Sequence, residues 1–314
     1  MVSTLAHSGK FTLWGVEVFL ATAEERAISA AARRLGVSIS AVSQQLTNLE
    51  AALGVDLLDR SARPMALTPA GRLFRARAQA ILNEAELARM ELARTGRGAV
   101  PRIRLGVIED FDATVTPGVL LDLVAQLPRS RIRLESGASH RLLDLLDSRG
   151  LDMVVATEVA APPPWMDVHP ILRDPFVRVL PKSAGPQIEY IKYTSRHVMG
   201  QQIEAHLARH GQPSDARFEL DSYAAILAMV AEGRGWTILT PLGVASAQRF
   251  LGQVDLEPLD TPPLARTISV MTRQDVLLDM PERVAETLRA RVAAAVVDPL
   301  LARWTWLRGQ LEML

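Results

Sequence analysis

The stretch from Ser38 to Gly54, SISAVSQQLTNLEAALG, constrains this chain more than any other. It opens on a serine suited to an N-cap, repeats apolar residues at Val42, Leu46, Leu49 and Leu53, and closes on a glycine at the C′ position. The spacing predicts one helix with a defined start and stop. Its outer face holds Ser40, Ser43, Gln44, Thr47 and Asn48, uncharged hydrogen-bonding groups in place of the Lys and Glu of an ordinary solvated helix. Such a face suits the edges of bases. Just upstream, ISAAARRLGVS supplies Ile28, Ala31, Ala32 and Leu35 as the buried side of a shorter helix, and Gly36-Val37 turns the chain into Ser38. Two helices joined by a short glycine-containing turn make a helix-turn-helix. A helical hairpin packed in a core would show the same spacing, and composition and context weigh against it.

The chain has 314 residues, enough for two or three domains and a sizeable core. It has no cysteine. Thiol catalysis, disulfide frameworks, iron-sulfur clusters and cysteine-based zinc sites are therefore excluded, and a cytoplasmic protein is expected. The N-terminal MVSTLAHSGKFTLWGVEVF lacks the unbroken apolar run of a signal peptide or membrane span, so no membrane partner is expected. Net charge is zero overall, but it is unevenly distributed. Between Arg26 and Arg77 eight arginines stand against Glu50, Asp56 and Asp59, a net of +5, whereas residues from 99 onward carry a net of −3. Basic charge thus coincides with the candidate reading helix, as phosphate binding requires. The expected DNA contacts are Ser38, Ser40, Ser43, Gln44, Thr47 and Asn48 toward bases, with Arg33, Arg34, Arg60 and Arg63 toward the backbone.

Trp14, Val18, Phe19 and Leu20 mark a first helix, roughly residues 12 to 24, that covers the helix-turn-helix pair. After Gly54, VDLLDRSARPMALTPAG reads as a hairpin wing whose turn holds Arg60 and Arg63 where they can clamp phosphates. From Thr68 to about Ala93 the sequence is strongly helical. Phe74, Ala78, Ile81, Ala85, Ala88 and Leu92 recur at steps of four and three, a coiled-coil seam that calls for a partner helix from a second subunit. TGRGAVP, residues 95–101, breaks that helix as a linker. Beyond it, strand-like runs IRLGVI, RIRLES and LDMVVA alternate with helical segments, and a second cycle follows through EYIKYTS, ARFEL and GWTILTP. Two α/β units with two crossing connections, near 181–188 and 259–267, describe a two-lobed domain with a ligand between the lobes.

With these residues in view the chain resembles the LysR-type transcriptional regulators over nearly its full length. The family's N-terminal pattern is matched by Ala31-Ala32, Leu35, Ser38, Val42-Ser43, Leu49-Glu50, Leu53-Gly54, Leu58, Arg60, Arg63, Leu67-Thr68 and Gly71. LLDLLDSRGLDMVVA and AILAMVAEGRGWTILTP are similar to segments that frame the effector cleft. The resemblance implies an α/β protein with a winged helix-turn-helix N-terminal domain (1–72), a dimerising linker helix and hinge (73–98), and a two-lobed, periplasmic-binding-protein-like (type 2) effector domain (99–297). Lobe one is expected over 102–181 and 267–297, lobe two over 187–260, with a tail at 298–314. The resemblance also implies the family's usual assembly, a homotetramer built as a pair of dimers, on double-stranded operator DNA. Two departures stand out. Glu25, Arg26, Ala27 and Ile28 replace a glycine and an aromatic residue common before the Ala-Ala pair, and IEDFDATVTP replaces a first effector loop that usually offers a small hydroxyl residue.

In that loop Glu109, Asp110 and Phe111 follow the first strand of lobe one, where two acids and a ring suit an amine or guanidinium. The acids could equally cap the next helix or pair with Arg141 or Arg196. Ser139 and His140, Thr194 and Ser195, and Thr240 occupy equivalent positions after other strands. No metal is expected: His140 lacks a histidine partner at i+3 or i+4, and His206 and His210 lack an acid to join them. No cofactor is expected either. In the tail, Leu300, Trp304, Leu307 and Leu311 at helical spacing predict an amphipathic helix, which either packs against the sensor lobes or, as its two tryptophans suggest, makes a subunit contact. The expected function is a ligand-responsive DNA-binding regulator. The alternative is an enzyme or a small-molecule binding protein on the two-lobed domain, and the sequence shows no glycine-rich phosphate loop, GxSxG or metal-spaced cluster to support the enzyme.

Overall fold

The computed structural model describes residues 11–94, 102–128, 130–183, 189–274, 277 and 279–314. It divides into an N-terminal unit and a larger C-terminal unit. In the N-terminal unit α1 (Leu13–Glu25), α2 (Ile28–Leu35) and α3 (Ile39–Leu53) pack around Val16, Phe19, Ala31, Val42, Leu46 and Leu49, all buried. Thr12 caps α1 by accepting the Gly15 N–H at 3.0 Å, and Ser38 caps α3 by accepting that of Ala41 at 3.2 Å. Gly54 ends α3 at φ 69°, the left-handed conformation its position called for. Arg26 holds φ 53° at the end of α1, so an arginine adopts the left-handed conformation that glycine takes most readily.

The wing is a minimal ladder, β1 (Leu58–Asp59) against β2 (Ala66–Leu67), antiparallel. Its base is tied to α3 by Glu50. One oxygen of that buried carboxylate accepts the N–H groups of Leu57 and Leu58 at 2.9 and 3.1 Å, and the other accepts from Arg60 at 2.6 Å. Then α4 (Pro69–Arg94) runs for 26 residues, capped by Thr68. The sequence calls for a partner helix because the three-helix domain alone cannot bury the whole seam. Within the chain, Ala78 is buried in the N-terminal core and Phe74 packs on Phe19 with ring centroids 5.2 Å apart. Ile81 and Ala85 are half-buried and Ala88 is exposed, so the seam's first two turns are used within the chain. The side chain of Leu92 and the linker at 95–101 lie outside the described residues.

The C-terminal unit contains two sheets. The first has the order β13-β6-β12-β5-β3-β4, from β3 (Arg102–Ile108), β4 (Arg131–Gly137), β5 (Met153–Thr157), β6 (Met166–Pro175), β12 (Ala265–Arg273) and β13 (Glu312–Met313). Strands β3, β4 and β5 are mutually parallel about β3, while β12 runs antiparallel to β5 and β6. The second has the order β11-β7-β10-β8-β9, from β7 (Val177–Pro181), β8 (Glu189–Tyr193), β9 (Phe218–Leu220), β10 (Gly235–Leu239) and β11 (Val254–Glu257). Helices α5 (Thr116–Gln126), α6 (Ser139–Asp147) and α10 (Met280–Val292) accompany the first sheet, and α7 (Val198–Arg209), α8 (Tyr223–Ala231) and α9 (Pro241–Ser246) the second.

One crossing differs from expectation. The chain leaves the first sheet at Phe176, between β6 and β7, and β7 belongs to lobe two, pairing with β10 and β11. The break at 181–188 is a connection inside lobe two, and its residues 184–188 lie outside the described set. The sequence cue misled because HPILRDPFVRVLPK is one long apolar run that changes sheet at its middle. The return crossing lies between β11 and β12.

The tail also departs from its predicted form. After a π-helical turn at Ala293–Val297, α11 covers only Asp298–Arg303, a 3-10 turn follows, and β13 adds an edge strand antiparallel to β6. Leu300, Trp304, Leu307 and Leu311 are all buried in the C-terminal core. Trp304 is therefore not an exposed anchor for a second subunit. Leu307→Ala is expected to cost the unit about 2–5 kcal/mol of stability, read as a lowered denaturation midpoint. The mass of the assembly measured by light scattering should stay unchanged, and a fall in mass would restore the subunit-contact reading.

Candidate functional site

The DNA-facing candidates group on one surface of the N-terminal unit. Ser38, Ser40, Gln44 and Thr47 are exposed, and Ser43 and Asn48 are half-buried beside them. Gln44 Nε2 donates to Asn48 Oδ1 at 2.9 Å, which aligns the two amides at i, i+4 and leaves the Gln44 carbonyl as acceptor and the Asn48 amide as donor. Thr47 Oγ1 donates to the Ser43 carbonyl at 3.0 Å and can still accept. The face thus offers both donors and acceptors without charge.

The four arginines are not equivalent. Arg34 pairs with Glu24 at 2.5 Å and Glu25 at 3.3 Å, and the Glu24 hydrogen bond raises its pKa further above the usual range. Arg60 bonds to Glu50, so part of its guanidinium braces the wing. Arg33, in the last turn of α2, and Arg63, at the wing tip, have no carboxylate within salt-bridge distance among the described residues. Arg63 Nη1 donates to the carbonyls of Arg60 and Ala62 at 3.0 and 3.2 Å, which folds the tip under its own cation. Asp59 shapes the same turn by accepting from the Ser61 hydroxyl and the Ser61 and Ala62 amides, and the Ser61 hydroxyl bond leads in lowering its pKa.

In the C-terminal unit a cleft opens between the two sheets' lobes. Its walls are Glu109, Asp110, Ser139, His140 and Thr157 from lobe one, Tyr193, His197, Met199 and Tyr223 from lobe two, and Arg266 from the crossing strand β12. The cavity they enclose is about 40 Å³, a volume that admits water and little else. Of the residues expected from sequence, Glu109, Asp110, Ser139 and His140 line it. Phe111 is fully buried in the hydrophobic core and offers no ring face to a ligand. Thr194 is buried and donates to Glu219 at 2.8 Å, and Ser195 accompanies it through its own N–H. Thr240 is buried below the cleft, where it caps α9 and accepts from Arg266 at 3.0 Å.

The floor is a buried charge cluster. Arg266 Nη2 donates to Asp110 at 2.5 Å and to Thr240, and its Nε donates to Asp174 at 3.0 Å. Asp174 also accepts the Leu242 N–H at 3.3 Å, and the Tyr223 hydroxyl donates to Asp110 at 3.3 Å. Asp110 and Asp174 come from lobe one, Thr240, Leu242 and Tyr223 from lobe two, so the cluster fastens one to the other. Burial works to lower the pKa of Arg266, and the two carboxylates outweigh it and raise it. Burial pushes Asp174 above the ordinary carboxylate range against the pull of Arg266. Because Arg266 already neutralises Asp110, only Glu109 of the acid pair is left to face a cation.

Above this floor Tyr193 stacks on Tyr223, centroids 5.3 Å apart, and burial raises the Tyr193 phenol to about 12. Its hydroxyl bonds His197 Nδ1 at 2.9 Å, and the His197 ring meets His140 across the cleft at 5.7 Å. Tyr193, His197, Tyr223 and Arg266 were not singled out from sequence. The available signal was Arg266 itself, a charged residue inside the apolar strand run ARTISVMT.

A winged helix-turn-helix followed by a two-lobed α/β domain with a polar cleft defines a DNA-binding regulator with a small-molecule sensor. Comparison with known proteins agrees. The model of the LysR substrate binding domain matches residues 96–293, and that of the lysR-family bacterial regulatory helix-turn-helix protein matches residues 13–72. The DNA-binding transcriptional dual regulator OxyR of Escherichia coli (strain K12) is 27% identical over 292 residues, covering 88% of this chain and 94% of the relative. A probable hydrogen peroxide-inducible genes activator of Mycobacterium avium is 36% identical over 172 residues, 54% of each chain. Among solved structures, a cysteine variant of full-length OxyR from Pseudomonas aeruginosa has a TM-score of 0.68 at 24% identity, covering 92% of this chain and 96% of that one. Full-length CbnR in complex with its target DNA has a TM-score of 0.60 at 20% identity, covering 90% and 100%; both share the fold. The chain belongs to the LysR family and is a DNA-binding transcriptional regulator with an effector-binding domain. No described helix is long and apolar enough to cross a membrane.

The floor cluster gives a direct test. Arg266→Met leaves Asp110 and Asp174 buried without their cation and is expected to lower stability by about 3–5 kcal/mol at neutral pH. Burial already holds the Asp174 carboxyl above its unfolded value near 3.9, and loss of the guanidinium removes the pull that opposes it, so the deficit should be small at acid pH and grow as pH rises through the folded pKa of Asp174. Denaturation midpoints of wild type and variant between pH 4 and 8 check this, and a deficit independent of pH would exclude unpaired carboxylates as its cause.

Proposed function

We propose that this regulator works as a dimer joined through α4, and as a tetramer made of two such dimers, with two copies of α3 in successive major grooves. Residues 1–72 serve as the DNA-binding domain, 73–98 as linker helix and hinge, and 99–314 as the effector domain. Lobe one takes β3 to β6 with β12 to β13, and lobe two takes β7 to β11. The reading rests above all on the surface that gathers Ser38, Ser40, Ser43, Gln44, Thr47 and Asn48 beside Arg33 and Arg63. In it Gln44 and Asn48 meet base edges, Arg33 and Arg63 hold phosphates, and Arg34 and Arg60 act first as braces for their own domain.

Gln44→Ala is expected to lose roughly 1–3 kcal/mol on the preferred operator and little on random DNA. Arg63→Ala should weaken binding to all sequences and reduce the salt slope by about one. Titrations against both duplexes at several salt concentrations distinguish the two roles, and equal losses on specific and random DNA for Gln44→Ala would remove it from base reading.

The effector lodges between the lobes. A cavity of about 40 Å³ is too small for an organic ligand, so binding parts the lobes and the ligand selects the parted state. Ser139, His140, His197 and Tyr193 supply hydrogen bonds, and Glu109 receives any amine. This chain has no thiol, so whatever signal the relatives named for hydrogen peroxide receive, a thiol-based one has no site here. The chain's affinity for DNA is therefore expected to be the same with and without a thiol reductant. A thermal-shift screen of amines and small organic acids identifies the ligand class, and His197→Ala should abolish the shift of a true cleft ligand while leaving the unliganded midpoint nearly unchanged.

A further inference from the structure

The tip of the reading helix carries a side chain that neither its core nor its polar face accounts for. Ile39 is the first residue of α3, directly after the Ser38 cap. It is 57% exposed, more than any other large apolar side chain of α1 to α3, and it packs against neither hydrophobic core. By helical phase it belongs to the row of Val42, Leu46 and Leu49, all buried. The first member of that row has left the core.

Side chains of a helix tilt toward its N-terminus, so Ile39 projects from the tip of α3. In helix-turn-helix proteins that tip meets the base edges. The neighbouring hydroxyls of Ser38 and Ser40 bond each other at 3.0 Å, which leaves an aliphatic group between two small and partly satisfied polar ones. Of the four bases only thymine presents an apolar group in the major groove, its C5-methyl. We propose that Ile39 contacts a thymine methyl in each half-site and is a specificity residue for DNA binding. The assignment rests on α3 being the reading helix.

The test uses the full chain and a duplex that it selects from a random-sequence pool. Each thymine of that duplex is replaced in turn by deoxyuridine, which removes the methyl and keeps the base pair. Wild type is expected to lose about fourfold in affinity at one thymine per half-site, the size of one buried methyl group. Ile39→Ala should bind the unsubstituted duplex about as weakly as wild type binds the substituted one and ignore the substitution, whereas Ile39→Val should keep the sensitivity. Uracil tolerated everywhere by wild type, or an unchanged uracil loss in Ile39→Ala, overturns the proposal. Gln44→Ala separates the two layers. If base changes couple to Gln44 and not to Ile39, α3 remains the reader and only Ile39 is rejected; coupling to neither rejects α3.

A second observation stands apart from DNA. The family match ends at residue 293, and the residues beyond it connect the lobes once more. From α10 on lobe one the tail reaches lobe two, where Trp304 Nε1 donates to Asp255 on β11 at 2.5 Å, and returns to lobe one as β13 beside Leu172 and Arg173 of β6. Arg289 of α10 holds its end, donating to the Leu314 carbonyl at 2.7 Å. The two hinge passages are β6 to β7 and β11 to β12. The geometry points to the tail as a third, a strap that limits how far the lobes part.

A chain without cysteine makes the test clean. Asp144→Cys on lobe one and Gln201→Cys on lobe two, both at exposed positions, take a pair of spin labels whose separation reports the cleft. Trp304→Phe, which keeps the ring and loses the N–H, and Asp255→Ala are each expected to lengthen and broaden the distance distribution. A lowered denaturation midpoint with an unchanged distribution would mean that the tail only stabilises lobe one, and would overturn the strap.

Discussion

The sensor unit depends on one buried guanidinium. Arg266 lies on a crossing strand and is held on three sides, by Asp110, Asp174 and Thr240. A lone buried cation would be prohibitively costly, and so would either carboxylate alone. Together they make a cluster whose members come from both lobes, so the unit keeps its charges satisfied only in a narrow range of lobe placements. A purely apolar floor would hold the lobes as firmly but with far less directional preference. Tyr223 extends the same network upward, since its hydroxyl donates to Asp110 while its ring carries Tyr193.

The DNA-binding half was legible in the sequence because its determinants are local. The Ser38 cap, the Gly54 stop and the row Val42, Leu46, Leu49 lie within one helix, and each fell where the spacing put it. Leu46 has to be buried whatever else the chain does. The divided role of the long helix was less visible. A seam predicts that something packs on it, and spacing alone does not say whether the partner is α1 or another subunit; for Phe74 and Ala78 it is α1.

The cleft was only half legible, for a physical reason. Rules of topology place loops at the ends of strands, and they found Glu109, Asp110, Ser139 and His140. They cannot say which way a side chain turns. Phe111 is adjacent to Asp110 in sequence and points into the core, while Arg266 is 156 residues away and reaches the same carboxylate. The tail shows the same limit from another side. Its apolar positions are buried, and period 3.6 over so short a stretch distinguished neither packing on the lobes from a subunit contact nor a continuous helix from a broken turn ending in a strand.

The Glu50 bridge has a further consequence. One carboxylate of the reading helix holds the backbone of the wing base and the Arg60 side chain together. Helix α3 and the wing therefore move as one piece, and the interval between the polar face of α3 and the wing tip is built in as a fixed length. On the proposed reading of that face the domain is a gauge: a groove that departs from the interval has to bend or twist to meet it, which favours easily deformed sequences at positions no side chain reaches.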